Sequence, residues 1–296
     1  MVLIIILVLA GLLGGAMVIV MKSLSPSSTP LFSEKIGVIP VEGTISSSQT
    51  VTSQLVEFRK DAGIKAIVLK VNSPGGAIAP SQEIYREIEK TIPVKKVVVS
   101  MGTVAASGGY YISAAANKIV ANPGTITGSI GVIMEFVRVE DLLTKIGVDL
   151  EIMKSGEFKD IGSPDRKLTQ REREILNAMI MDMQNQFVEA IVRGRGLSLE
   201  EVQRIADGRI FSGARARELG LVDVLGNFQD AVEITKELAG IKGDVTLVYA
   251  KKRRVDVFDL LFETGARFMT QVLRSLAGRA EYRWDGFSGL DIKGNY

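Results

Sequence analysis

The sequence predicts an α/β domain organised on a mainly parallel sheet. Three observations point there. Short β-branched runs alternate with helical stretches, and several of the runs end in glycine-rich turns. The chain, at 296 residues, is long enough for one sizeable domain plus appendages.

The elements follow in order. Val2 to Met21 carries no charge and is almost entirely apolar. At 1.5 Å rise per residue such a run spans about 30 Å, the hydrocarbon thickness of a bilayer. It is longer than the apolar core of a signal peptide, and no Lys or Arg precedes it. Residues 1–22 therefore read as an uncleaved, single-pass transmembrane anchor. The Ser/Pro/Thr-rich residues 23–34 read as a linker. Residues 35–250 form the expected soluble domain. Its strands are Lys35–Val41, Lys65–Val71, Lys96–Ser100, Lys118–Ala121 and Val245–Tyr249, with two more at Gly131–Phe136 and Asp149–Met153. Helices are expected near Val51–Asp61, Ser81–Lys90, Tyr110–Ala116 and Val139–Ile146. A long one runs from Thr169 to Arg193, opened by the capping-box pattern Thr169-x-x-Glu172. Shorter ones are expected at Ser198–Ile205, Gly213–Leu219 and Asn227–Leu238. Residues 251–296 begin with Lys251-Lys-Arg-Arg254 and continue as a basic amphipathic helix and a mobile tail. Such a helix fits a membrane surface or a neighbouring subunit equally well.

Composition narrows the chemistry. The chain has no cysteine and no histidine. That removes thiol nucleophiles, His-ligated metals and the Ser-His-Asp triad together. No carboxylate cluster has metal-ligand spacing, so neither metal nor cofactor is expected. A net charge of +2 asks for no nucleic acid. A hydrolase with a side-chain nucleophile would here use Ser or Thr, with lysine as its base.

Ser107 is the candidate nucleophile. It follows the strand Lys96–Ser100 through small residues and precedes Gly108-Gly109 and a helical run, the layout of a strand-to-helix nucleophile elbow. The Gly108 N–H then lies near an attacked carbonyl. A second oxyanion donor is offered by Asn72-Ser-Pro-Gly-Gly76, where Gly75 and Gly76 let backbone approach a ligand. A lysine base must be neutral, while free lysine has a pKa near 10.4. Lys154 and Lys159, with Phe158 and Ile161 nearby, both qualify, and composition does not choose between them.

Four motifs in order, Val71-Asn-Ser-Pro-Gly-Gly76, Gly102-Thr-Val-Ala-Ala-Ser-Gly-Gly-Tyr-Tyr-Ile-Ser113, Thr127-Gly-Ser-Ile-Gly-Val-Ile133 and Lys154-Ser-Gly-Glu-Phe-Lys-Asp160, resemble the signal peptide peptidase A (protease IV) family. The resemblance runs from about Lys35 to Ala239. It implies a fold similar to the Clp protease subunit and crotonases, a spiral of ββα units. It also implies a membrane-anchored Ser/Lys-dyad serine peptidase that degrades cleaved signal peptides and other hydrophobic peptides. Matched residue by residue, Ser107 is the nucleophile, Lys159 the base, and Ser129 the hydroxyl that holds the lysine amine. Gly75, Gly76 and Gly108 fall where oxyanion donors are expected, with the choice between Gly75 and Gly76 open. Single-length members share the dyad between neighbouring subunits of a ring-shaped homo-oligomer, and the resemblance places the catalytic domain on the extracytoplasmic side of the cell membrane. The alternatives are a same-fold peptidase cutting a stomatin-like membrane protein, a crotonase-like acyl-CoA enzyme, and a proteolytically silent scaffold.

Overall fold

A computed structural model describes residues 33–250 and 279–283. The expected anchor and the basic stretch from Lys251 lie outside these residues. No helix among the described residues is long and apolar enough to cross a membrane.

The chain enters its sheet through β1 (Glu34–Glu42), whose Ile36, Val38 and Ile39 are fully buried. Helix α1 (Gln49–Lys60) leads to β2 (Ile64–Ser73) and the short β3 (Gly75–Ala77). Then come α2 (Ile78–Thr91), β4 (Lys96–Ala106), α3 (Gly108–Ala114), β5 (Lys118–Ala121), β6 (Ile126–Gly128) and β7 (Ile133–Glu135). Helices α4 (Glu140–Lys145), α5 (Gln170–Arg195) and α6 (Leu199–Gln203) follow. The rest is β8 (Ile210–Ser212), α7 (Gly213–Glu218), β9 (Val224–Leu225), α8 (Phe228–Ala239), β10 (Val245–Tyr249) and, separately, β11 (Arg279–Arg283).

The main sheet has the order β10-β1-β2-β4-β5-β9, and each of these neighbouring pairs is parallel. Parallel strands covered on both faces need nearly continuous apolar runs, which is how β2 and β4 read. Strand β4 runs past the expected end at Ser100 because it pairs with two strands in succession. Its Val98–Met101 segment pairs with β5, and Val104–Ala106 pairs with β6. The change comes at a bulge: Val71 lies opposite Met101, but Ser73 lies opposite Ala105. A bulge bends a strand and re-aims the residues beyond it. The polar groups it frees are satisfied, since Asn72 Oδ1 accepts from the Val104 N–H at 3.2 Å and the Thr125 hydroxyl donates to the Gly102 carbonyl at 2.8 Å. The strand end is thereby turned toward β6 and the start of α3.

All seven residues of α3 are buried. A helix apolar on every side must lie inside, and α3 packs against the sheet, α2 and α5. Tyr110 and Tyr111 are core residues. Tyr110 donates to the Leu221 carbonyl at 2.9 Å, and Tyr111 packs against the rings of Tyr85 and Phe187. Desolvation pushes the Tyr111 phenol up to about 12.

The long helix begins as its capping box predicts. Thr169 Oγ1 accepts from the Glu172 N–H, and the Glu172 carboxylate accepts from the Thr169 N–H. Its burial is concentrated in the second half: Phe187 and Ile191 are fully buried, while in the first half Leu176 is buried but Ile175 and Met179 are exposed. The strand expected at Asp149–Met153 is absent. Those residues are neither helix nor strand and all five are exposed, and the strand expected at Gly131–Phe136 shortens to β7. An apolar run reads as a strand only if an edge lies beside it, and 149–153 has no ladder partner among the described residues.

Asp223 ties the far side together. Its carboxylate accepts from the Ile119 N–H at 2.8 Å, pairs with Lys118 at 3.1 Å and meets Arg195, whose side chain is 6% exposed. Burial opposes ionisation of Asp223, but Arg195, the Ile119 N–H and Lys118 outweigh it and hold its pKa below the usual carboxylate value. Asp223→Ala strands a buried guanidinium, so it should cost about 3 kcal/mol in urea unfolding. Because the folded pKa is depressed, this contribution is present above about pH 4 and fades as pH falls further. The wild-type and variant curves should therefore converge in acid.

Candidate active site

Ser107 joins β4 to α3 in a conformation that side chains avoid: φ is 53° and ψ is −119°. Among the described non-glycine residues, only Ser107 and Ser129 have positive φ. Such strain costs about 1–3 kcal/mol and persists where the surroundings fix it. Here the Ser107 N–H donates to the Gly128 carbonyl at 2.8 Å, and its carbonyl accepts from the Tyr111 N–H at 2.8 Å. The side chain is fully buried, yet its Oγ has no hydrogen-bond partner among the described residues. A buried hydroxyl without a partner is unfavourable, and such exceptions concentrate at working sites. Packing has fixed this hydroxyl and left its chemistry open.

The two glycine-rich strand ends meet at this point. A Cβ on Gly108 would lie 3.2 Å from Gly75 Cα, 3.2 Å from Gly76 N and 2.7 Å from Ser81 Oγ. No side chain fits, so the backbone of α3's first residue lies directly against the loop after β2. Gly75 and Gly76 differ in what their N–H groups do. The Gly75 N–H donates to Ser73 Oγ at 3.1 Å. Its carbonyl accepts from the Ile45 N–H at 2.8 Å, and the Ala77 N–H donates to the Ile45 carbonyl at 2.8 Å. In an extended strand alternate residues turn their polar groups to opposite sides, so Gly76 directs its N–H and C=O away from Ile45. Gly76 has φ of +154°, and a Cβ there would strike the Ile45 carbonyl at 2.3 Å. Glycine is needed on both counts. Gly108, as the first residue of α3, has no intrahelical acceptor for its N–H.

Ser129 stands at the end of β6, one residue past Gly128, which pairs with Ala106 beside Ser107. It is nearly buried, with φ of 50°, and its N–H donates to the Arg209 carbonyl at 2.8 Å. Ser129 also opens onto a cleft of about 480 Å³, lined by Ile133, Ile180, Met181 and Gln184 among others. This cleft lies to one side of the site and does not include Ser107, but its apolar wall borders β7.

The two candidate lysines have different surroundings. Lys154 donates to Asp160 Oδ1 at 2.7 Å and to the Glu157 carbonyl at 3.1 Å. Asp160 is itself clamped: Arg166 Nε donates to it at 2.9 Å, and the same guanidinium grips Glu172 of α5, donating to Oε2 at 2.9 Å. Hydrogen bonds from Arg166, then Lys154, hold the Asp160 carboxyl far below the usual carboxylate range. Those from Arg166 and the Thr169 N–H draw Glu172 down to about 2. This chain of charges pins the loop to the start of the helix. Nothing in the motifs marked Arg166 for that part, or Ser73 for holding Gly75, because both act through long-range or backbone contacts. Lys159, in contrast, is exposed, and its amine makes no hydrogen bond or ion pair with the described residues. Within one chain, then, Ser107, Gly75, Gly76, Gly108 and Ser129 come together. Neither lysine amine reaches the Ser107 hydroxyl, which has no partner among the described residues.

Residues 89–242 match peptidase family S49, and residues 23–125 match the Clp protease family. A chain named as a protease in Synechocystis sp. is 44% identical over 71% of this chain and 76% of its own length. Another so named, in Methanocaldococcus jannaschii, is 37% identical over 71% of this chain and 68% of its own. Protease 4 of Salmonella typhi is 41% identical over 65% of this chain and 31% of its own. The α/β architecture with a Clp-protease-like region agrees with the expected fold class. The chain belongs to peptidase family S49, among the relatives of signal peptide peptidase A, and is a serine peptidase.

Proposed function

We propose that this serine peptidase works with a Ser/Lys dyad completed between subunits: Ser107 is the nucleophile of one chain and Lys159 the base of a neighbour. The observation that carries the reading is the contrast at the site. Among the described residues a strained, buried Ser107 hydroxyl has no partner, Lys154 is committed to Asp160, and the amine of Lys159 is uncommitted. In the assembly Lys159 enters the site, where the Ser129 hydroxyl orients its amine. The neutral amine takes the proton as Ser107 Oγ attacks the peptide carbonyl. The N–H groups of Gly76 and Gly108 stabilise the oxyanion. The lysine then gives its proton to the leaving amine, and water releases the acyl group from Ser107. No metal or cofactor takes part.

The face for the neighbouring copy is consistent with exposed apolar residues beside the lysine loop. Leu142, Ile146, Leu150 and Met153 are all more than half exposed. Such a patch is unfavourable on a solitary soluble surface. The substrates are apolar peptides, in keeping with the cleft beside Ser129, and the first among them are cleaved signal peptides. The run Val2–Met21 anchors the chain in the cell membrane, with its catalytic domain on the extracytoplasmic side.

The test is a substrate comparison with full-length enzyme in vesicles. Hydrophobic peptides of signal-peptide composition should be cut at least about tenfold more efficiently (kcat/KM) than a stomatin-like membrane protein or a soluble unfolded protein. Preference for the intact membrane protein would reassign the substrate. Hydrolysis of an acyl-CoA thioester in place of any peptide would overturn the reading.

A further inference from the structure

Two glycines stand in succession where the oxyanion donor is needed, with φ of +103° at Gly75 and +154° at Gly76. Glycine has the greatest backbone freedom of any residue, so an untied Gly-Gly pair samples many orientations. In some of them the Gly76 N–H turns away from Ser107. The C=O and N–H of a trans peptide point in opposite directions. The Gly75 carbonyl and the Gly76 N–H belong to one such peptide, so whatever fixes the first aims the second. The Ile45 N–H does this, donating to the Gly75 carbonyl at 2.8 Å. The other side of Gly75 is held by Ser73, whose Oγ accepts from the Gly75 N–H at 3.1 Å. With amide and carbonyl both tied, Gly75 cannot turn the next peptide over.

The strand places Ser73 for this part. It is the last residue of β2, is fully buried, and lies opposite Ala105 beyond the bulge, two residues before Ser107. A Cβ on Gly109 would lie 2.7 Å from the Ser73 carbonyl, so Ser73 also touches the start of α3, where Gly108 supplies the second donor. Its hydroxyl has no other firm bond among the described residues. The contact with the Gly75 carbonyl is 3.5 Å long, and Ile45 already occupies that carbonyl. The other buried hydroxyl close by, Ser81, is spent on the Ala77 carbonyl at 2.9 Å.

We infer that Ser73 is a positioning residue of the reaction: its Oγ locks Gly75 so that the Gly76 N–H meets the oxyanion without reorganising. The inference rests on the reading of Ser107 as nucleophile and Gly76 as oxyanion donor. Donors set in advance stabilise charge that develops in the transition state, and the ground-state carbonyl gains less from them. Loss of the lock therefore lowers kcat and leaves KM in place.

The test compares Ser73→Ala, Ser73→Thr and Ser73→Val in the full-length enzyme in vesicles. Each is titrated to completion at Ser107 with a fluorophosphonate, so that kcat is counted per competent site. Threonine and valine share a shape, and the difference between them reads the hydroxyl alone. Ser73→Ala and Ser73→Val should lower kcat for a leucine-rich nonapeptide at least about tenfold, with KM changed less than about threefold. Loss of a donor outright costs about 10²–10³, which bounds the effect. The matching peptide aldehyde forms an adduct in which Ser107 Oγ bonds to the aldehyde carbon. The carbonyl electron pair moves to the oxygen, and the serine proton passes to the base. Its Ki should rise by the same factor as kcat falls. Ser73→Thr should restore both values to within about threefold of wild type. A serine that only supports the fold would lower the melting temperature and the titratable fraction and leave kcat per site unchanged. That result, a loss confined to KM, or equal kcat in Ser73→Thr and Ser73→Val would overturn the assignment. If the wild-type enzyme takes no label at Ser107, the nucleophile reading fails and the inference with it. Full labelling with no Ser73 effect is a different result and overturns the inference alone.

Discussion

Ser107→Ala is expected to lower kcat for peptide hydrolysis by about 10⁵-fold while leaving the fold intact. The size follows from the way nucleophile and base act as a unit, so that loss of the nucleophile forfeits nearly all covalent catalysis. The fold should survive because Ser107 is held through its backbone, by the Gly128 carbonyl and the Tyr111 N–H, and its Oγ supports nothing among the described residues. Removing a buried hydroxyl that has no partner relieves a desolvation cost, so the variant should melt at or above the wild-type temperature. Loss of activity together with higher stability distinguishes a nucleophile from a structural serine. Activity lost only through unfolding, or retained within tenfold, would exclude Ser107 as the attacking group.

Lys159→Ala should be nearly as severe, with kcat down by at least about 10³-fold, because general-base catalysis is worth about 10²–10⁴ and the nucleophile depends on it. Lys154→Ala should behave differently. That amine pins Asp160 and the Glu157 carbonyl, so its loss loosens the loop and should lower activity by less than about tenfold. Wild-type kcat/KM should climb with pH as the base loses its proton. A profile flat from about pH 6 to about pH 10 would contradict a lysine base. A severe Lys154→Ala effect beside a mild Lys159→Ala effect would exchange their roles.

The sequence made some features legible for physical reasons. Runs such as Lys65–Val71 and Lys96–Ser100 are largely apolar on both faces because the parallel sheet is covered on both sides. The start of the long helix was legible because Thr169 and Glu172 satisfy each other locally. The glycines at 75, 76 and 108 were legible as close-approach positions, and the structure brings them against one another. Other features depend on partners distant in the chain. The bulge that carries β4 on to Ala106 is set by pairing with β6 and by Asn72. Asp149–Met153 has strand composition but no edge to join among the described residues. The choice between Gly75 and Gly76 needed Ile45 and Ser73, and two lysines five residues apart were separable only once Asp160 was seen to hold one of them. Strand β11, within a stretch expected to be a tail, exists as a strand because β3 and β7 offer it two edges.

The most direct measurement is a structure of the assembled, full-length enzyme carrying a peptidyl inhibitor, read for the distance from each Ser107 Oγ to the nearest lysine amine. The dyad account predicts Lys159 Nζ of an adjoining copy within about 3.2 Å of that oxygen, with Ser129 Oγ on the same amine. An assembly in which every Lys159 amine faces solvent, or in which another group sits beside Ser107, would contradict it.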